Sequence, residues 1–396
     1  MENPKTMQSS FGPHHISSCP YGATTRHQVS ASAQRRIQYE SGLSRNGCTA
    51  RSRLIHKNPE AWDSRNAHAF AGRCRKEIDA MPQQTIGLLV MAYGTPTSPD
   101  AIESFYTHIR HGQKPSDALL QDLKDRYRAI GGISPLARIT TAQADALTAA
   151  LNARGDGPSF KPYIGLKHAQ PFIEDAVAAM HRDGITQALA LALTPYDGNA
   201  SVQDYGARAQ AAATRLGGPE IMPVSGWYRQ QKFVRYWAGQ IAAAFATIPV
   251  DDIRTTAVIF SAHSLPKSMP SAIGHYRRQL EESAQSIAQA AQLGHYVTAW
   301  QSAGKTADAW LGPDIRELTR DLYRRGGYRT FVYCPTGFVA DHLEVLYDLD
   351  IECRAVVNEL GGRYIRPAMP NAAPLFIDGL ADAAMDALAQ ALAVPA

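Results

Sequence analysis

From Thr85 onward, short apolar runs alternate with longer segments of helical spacing. That alternation limits the possible folds of this 396-residue chain more than any other feature. The apolar runs lie at 86–92, 161–165, 188–193, 221–224, 256–262, 295–299, 330–334 and 353–357. Between them, helical patterns occupy 118–129, 141–153, 172–182, 202–215, 231–246, 279–292 and 314–325. Strands each followed by a helix pair in parallel, with helices on both faces of the sheet. Eight strands fit two four-stranded sheets better than one. The expected class is therefore α/β, with two similar Rossmann-like units and a cleft between them. The units are expected at 81–228 and 229–370, divided near 225–231, with a last helix in 371–396 packing back on the first unit.

In open parallel sheets, ligands sit at the carboxyl ends of the strands. Tyr93 follows the first run, Pro195-Tyr196 the third, His263 the fifth, Gln301-Ser302 the sixth and Pro335-Thr336-Gly337 the seventh. All are expected to open onto one cleft. The last leads into the stretch 338–348, which reads as a helix. It places Glu344, Asp348 and Glu352 at i, i+4 and i+8 on one face. Three stacked like charges destabilise a helix, so the row calls for a cationic partner. Carboxylate and imidazole together suit Fe2+, Mn2+, Mg2+ or Zn2+. A solvated acidic face has the same spacing, and a histidine after a strand is often only a packing residue. The convergence of His263 with Tyr93 and Glu344 tips the reading toward function. No GxGxxG follows the first run and no Walker loop occurs, so nucleotide binding is not supported.

The words Leu88-Leu89-Val90-Met91-Ala92-Tyr93-Gly94-Thr95-Pro96, Tyr106-Thr107-His108-Ile109-Arg110, the run 125–136 with Gly131-Gly132-Ile133-Ser134-Pro135, and Tyr163-Ile164-Gly165-Leu166-Lys167-His168 occur in one order. With the His263 and Glu344 segments they resemble the ferrochelatases, closest to the bacterial branch that uses coproporphyrin, from about Thr85 to Asp378. The resemblance implies a lyase-class metal chelatase of haem biosynthesis. It would insert Fe2+ into coproporphyrin III, giving Fe-coproporphyrin III (coprohaem) and two protons.

It also implies the roles. His263 and Glu344 are the catalytic pair. Neutral imidazole accepts a proton or ligates the metal, and a nearby carboxylate raises its basicity. With them, Asp348 and Glu352 complete the metal residues, forming a path for Fe2+ or a second divalent site for an ion such as Mg2+. Tyr93 lies across the ring from His263. The four propionates of coproporphyrin fall to Arg126, Tyr127 and Ser134, with charge added by Arg110; Tyr205 is a further substrate-binding residue, and Trp310 lines the apolar wall. A tyrosine capping a strand, a surface arginine and a buried aromatic are the plain structural readings of these positions. The loop at Gly131-Gly132 resembles the family's substrate-binding loop.

Three family words are altered. Where relatives read Pro-His-Phe-Ser, this chain has Pro195-Tyr196-Asp197-Gly198-Asn199-Ala200. Where they read Gln-Ser-Glu-Gly-Asn-Thr-Pro-Asp-Pro-Trp, it has Gln301-Ser302-Ala303-Gly304-Lys305-Thr306-Ala307-Asp308-Ala309-Trp310. Gly-Asp-Pro-Tyr is here Ile273-Gly274-His275-Tyr276. Lost prolines and a lost carboxylate are expected to loosen one wall, and Asp197 to repel propionates. The expectation is retained chelation, slower or with altered tetrapyrrole preference. The alternatives are a catalytically weakened paralogue that binds a tetrapyrrole or haem without insertion, and an anaerobic cobaltochelatase.

Charge and cysteines limit the partners. Residues 1–80 hold 12 of the 40 Lys+Arg and 6 of the 36 Asp+Glu, a net of +6; the remainder holds 28 and 30, a net of −2. The basic character thus belongs to the N-terminal segment and does not suggest nucleic acid binding by the body. That segment is expected to be disordered. It reads as an unselected tail upstream of a true start at Met81, or as a transit peptide. Cys19, Cys48, Cys74, Cys334 and Cys353 show no ligand spacing, so no iron–sulfur cluster is expected, and no resident cofactor beyond substrate Fe2+. Some ferrochelatases carry a cluster in a C-terminal extension, which is not expected here. No apolar run reaches membrane-spanning length. The expected state is a cytoplasmic monomer, with transient contacts to neighbouring enzymes of haem synthesis.

Overall fold

The computed structural model describes residues 84–155, 157–196, 200–268, 270–304 and 308–393. The expected N-terminal extension lies outside them. Strands β1 (Thr85–Ala92), β2 (Ser159–Leu166), β3 (Gln187–Ala192) and β4 (Glu220–Val224) form a parallel sheet in the order β2-β1-β3-β4. Strands β5 (Thr256–His263), β6 (Val297–Gln301), β7 (Thr330–Cys334) and β8 (Arg363–Ile365) repeat that order as β6-β5-β7-β8. Every residue of β1 after Thr85 is buried, and so is every residue of β5 before His263. An unbroken apolar strand of this kind needs cover on both faces, which places it in the middle of its sheet.

The helices give that cover. They are α1 (Ile102–Ile109), α2 (Asp117–Ala129), α3 (Leu136–Asn152), α4 (Ile173–Arg182), α5 (Ala200–Leu216), α6 (Gln231–Phe245), α7 (Pro270–Ala290), α8 (Ile315–Arg324), α9 (Arg354–Glu359) and α10 (Pro374–Ala393), with a π-helix at Glu344–Cys353. Strand residues alternate between faces. Leu89 and Met91 pack with Ile173, Val177 and Ala209 of α4 and α5. Ala257, Ile259, Phe331 and Tyr333 pack with Ile315 of α8 and Leu349 of the π-helix. The opposite faces, including Leu88 and Val90 of β1 and Val258 and Phe260 of β5, join a single apolar cluster with Leu147, Trp237, Leu280 and Phe376. The two sheets thus share one core, and residues Met81–Ala396 group as one unit. The last helix, α10, packs on α3 and β4 and equally on α6, which lies past the expected boundary at 228.

In each sheet the chain leaves the central strand for one neighbour and returns on the other side, so the ends of β1 and β5 are topological switch points. Tyr93 follows β1 and His263 ends β5, which gives the two residues equivalent places in the two sheets. At the end of α2 the chain reverses through Gly131 and Gly132, at φ 104° and 107°. There Gly132 N donates to Tyr127 O at 2.8 Å, a left-handed stop that favours glycine.

Three expectations need correction. The run 353–357 is not a strand. Cys353, Val356 and Val357 are buried at helical spacing, and β8 lies later, at Arg363–Ile365. Short apolar runs do not distinguish the two periods. Residues 338–342 are not helical either. Asn371 Oδ1 accepts from Asp341 N at 2.9 Å, Asn371 N donates to Val339 O at 2.8 Å, and Gln143 Nε2 donates to Val339 O at 3.2 Å, so long-range partners take the bonds a helix would use. Finally, the acidic row lies on a π-helix rather than an α-helix. Among the described residues no helix is long and apolar enough to cross a membrane.

Candidate active site

His263 keeps its imidazole fixed through one nitrogen. Nδ1 lies 2.6 Å from Ser264 O, and a carbonyl only accepts, so Nδ1 carries the proton and Nε2 is the basic nitrogen. Strand register sets His263 beside Gln301. Gln301 is 1% exposed, and its side chain accepts from Ser261 Oγ at 2.8 Å and donates to Glu344 O at 3.1 Å. One buried amide thereby ties the first turn of the π-helix to the strand that ends in His263.

The acids of the row each have a basic neighbour. Glu344 Oε2 is 3.1 Å from His342 Nε2, and His342 Nδ1 lies 2.9 Å from Ala340 O. Asp348 is almost fully buried, accepts from Ser302 Oγ, and meets Arg126 Nη1 at 3.5 Å. Glu352 accepts from Arg316 Nη1 at 3.0 Å. Burial pushes the Asp348 carboxyl up to about 7. Glu344 and Glu352 add to the rise, while the Ser302 bond and Arg126 oppose it. Ser302 holds φ 60°, an uncommon backbone for a residue with a side chain, while its hydroxyl serves Asp348.

Among the described residues no three His, Cys, Asp or Glu side chains gather to hold a metal ion. The basic partners of the acidic row are His342, Arg126 and Arg316. A π-helix of i→i+5 bonds keeps residues four apart close to one face, so the row itself survives the change of helix.

The residue after β1 of the first sheet is Tyr93. Tyr93 is 39% exposed. Its ring lies 4.6 Å from His168 and 6.5 Å, edge-on, from Phe105. Burial of its hydroxyl raises the Tyr93 phenol above its ordinary range, with further rise from Glu344 and Tyr127. Tyr127 is raised by burial too, and again Glu344 adds to it. Tyr127, on α2, packs with Leu343, the residue before Glu344. His108 and His168 face each other through Nδ1 at 3.0 Å, and burial, with Lys167 next, lowers His168 to about 4.

The family model for ferrochelatase matches residues 85–388. The chain belongs to the ferrochelatase family. It is 54% identical over 301 residues to the coproporphyrin III ferrochelatase of Geobacillus kaustophilus (strain HTA426), spanning 76% of this chain and 95% of that protein. The coproporphyrin III ferrochelatase of Bacillus subtilis (strain 168) is also 54% identical over 301 residues, spanning 76% of this chain and 97% of its own length.

The remaining expected residues of this ferrochelatase-family site fall as follows. Tyr127 Oη lies 3.4 Å from Thr95 Oγ1, and both are buried. Arg126 is engaged with Asp122, at 3.2 Å, and Asp348, and its guanidinium covers the Tyr347 ring at 4.9 Å. It therefore links the propionate set to the acidic helix, which the sequence reading did not foresee. Ser134 Oγ accepts from Leu136 N at 3.2 Å and keeps its O–H to donate. Arg110 lies over Tyr106, with its Nε buried and unpaired. Tyr205 is buried beneath the Lys167 ammonium, 5.6 Å from its ring, and its phenol is raised by burial, then by Tyr93. Trp310 pairs with Pro266, three residues past His263, and its ring packs on Gly304 so closely that a Cβ there would meet it at 2.5 Å.

Among the altered words, residues 197–199 and 305–307 lie outside the described residues. Tyr196, the residue before the first of these gaps, is fully buried. Sequence reading placed Gln301 and Ser302 at the cleft without roles, and named His342 only as part of a motif. It passed over Arg316. The positions at strand ends were the available signal for the first two; nothing in the local sequence marks Arg316.

Proposed function

We propose that this chain inserts Fe2+ into coproporphyrin III, producing Fe-coproporphyrin III and two protons. The observation that carries the reading is that Gln301, in register with His263, donates to Glu344 O, while Tyr127 of α2 packs with Leu343, the residue before Glu344. A flat ring admitted between these walls would have a base on one face and phenols on the other. His263 Nε2, with Nδ1–H spent on Ser264 O, accepts a pyrrole proton or ligates the entering ion; it does one at a time. Glu344 offers a hard oxygen to Fe2+ and favours the protonated imidazole. His342 holds that carboxylate until the cation replaces it.

Asp348 and Glu352 extend acceptor oxygens along the π-helix. Fe2+ travelling past them, or a second divalent ion resting there, competes with Arg126 and Arg316 for the same oxygens. Arg110, with a donor to spare, and Ser134, with its free O–H, are the readiest partners for propionates. We place the chain as a cytoplasmic monomer needing no iron–sulfur cluster.

The test is anaerobic Fe2+ insertion into coproporphyrin III and protoporphyrin IX, followed by absorbance, with His263→Ala and Glu344→Ala. Turnover of coproporphyrin that falls at least a hundredfold in both variants is expected. Porphyrin binding without turnover in the unmodified chain would refute the reading.

A further inference from the structure

Tyr196 belongs to none of the roles above, yet it leaves the first sheet and reaches both supports of the metal side. It follows β3, is fully buried, and donates its hydroxyl to Thr336 Oγ1 at 3.0 Å. Thr336 lies in the turn after β7, fully buried as well. The next residue, Gly337, seats against the strand that carries the histidine: its N–H donates to Ser261 O at 3.0 Å, and a Cβ there would lie 2.5 Å from Ala262 Cβ. From that turn the chain runs directly to Glu344.

The ring of Tyr196 makes the second connection. It meets Tyr276 edge-on, with centroids 6.0 Å apart, and Tyr276 donates its hydroxyl to His263 O at 3.2 Å. Tyr276 also lies against Trp300 at 5.3 Å, and Tyr228 closes the far side of Tyr196 at 5.6 Å. Two routes therefore lead from one first-sheet side chain to His263, and one of them continues toward Glu344. A close-packed aromatic group transmits a displacement instead of absorbing it.

We infer that Tyr196 is a positioning residue for metal insertion, whose bond to Thr336 and contact with Tyr276 set His263 and Glu344 relative to the ring-binding wall. This rests on the chelatase reading above. Removing the hydroxyl leaves the Thr336 oxygen buried and lets the β7 turn move. The porphyrin wall formed by Tyr93, Tyr127 and Ser134 is not touched. The expected effect is thus on the chemical step and not on ring binding.

The experiment compares Tyr196→Phe, Thr336→Val, Thr336→Ser and the Tyr196→Phe/Thr336→Val pair in the full chain. Readouts are kcat and KM for anaerobic insertion, coproporphyrin affinity by fluorescence quenching, and the His263 signals in spectra of 15N-histidine-labelled protein, assigned by their loss in His263→Ala. Tyr196→Phe and Thr336→Val are each expected to lower kcat roughly tenfold. Porphyrin affinity should stay within about twofold, and the His263 signals should shift. Thr336→Ser should restore both kcat and the shift, and the double variant should be no slower than either single one. Unchanged kcat and unchanged His263 signals in a folded Tyr196→Phe would overturn the inference. So would a loss of porphyrin affinity that matches the loss of kcat. The His263 signals need no turnover, so they decide the positioning role even if the unmodified chain proves inactive and the chelatase reading fails.

Discussion

Replacing Asp348 by Asn should change how stability depends on pH in a way that isolates one side chain. Burial carries this carboxyl from its ordinary 3.8 to about 7. A carboxyl raised on folding binds its proton more tightly in the folded chain than in the unfolded one. Its contribution is complete below about pH 4 and is lost as pH rises through 7. The cost once ionised is about 4 kcal/mol, a large part of a typical stability of about 5–15 kcal/mol. Asparagine keeps an acceptor for Ser302 Oγ and removes the charge that Arg126 shares with Asp122. At pH 4 the carboxyl is already neutral, so the two proteins differ there only by amide for acid, and the pH-dependent cost of ionising it is absent from the variant. Urea unfolding of both proteins from pH 4 to pH 8 gives two curves whose other titrations cancel on subtraction. The variant should gain about 4 kcal/mol on the unmodified protein across that range. A difference curve flat within about 1 kcal/mol would show Asp348 to be ionised at little cost, and would refute the burial argument.

Other perturbations follow the same geometry. Gln301→Leu leaves the Ser261 hydroxyl and the Glu344 carbonyl unpaired in the core. It should cost about 2–6 kcal/mol in denaturant unfolding and lower kcat more than porphyrin affinity; full kcat in the folded variant would reduce Gln301 to a fold support. Gly337→Ala drives a methyl into Ala262 beside His263. Loss of insertion activity with a lowered melting temperature is expected, and an unaltered enzyme would mean that the β7 turn yields freely. Arg316→Ala frees Glu352, so divalent-cation affinity measured by Mn2+ titration should rise several-fold, and no change would remove Arg316 from competition at that site.

Different parts of the molecule were legible to different degrees. The alternation of buried runs such as 256–262 with helical patterns announced two parallel sheets, because a strand covered on both faces has an unbroken apolar sequence. The run 353–357 misled, since five apolar-rich residues satisfy either period. The family words marked His263, Glu344, Tyr93 and Asp348 through local sequence alone. They could not show that Arg126 pairs with Asp348, 222 residues away, or that Arg316 neutralises Glu352. Such partners are chosen by packing, and packing leaves no local pattern.

The chain by itself determined the strand and helix order, the placing of functional residues at strand ends, and the acidic row. These follow from short-range periodicity and from the geometry of parallel sheets. Only the tertiary structure decided that the row lies on a π-helix, that 338–342 is held out of the helix by Asn371 and Gln143, and that arginines meet the acids. It also decided that Tyr196 joins the two sheets behind the cleft. Each of these rests on bonds between residues far apart in the chain, and their strength depends on burial, which a sequence read one segment at a time does not contain.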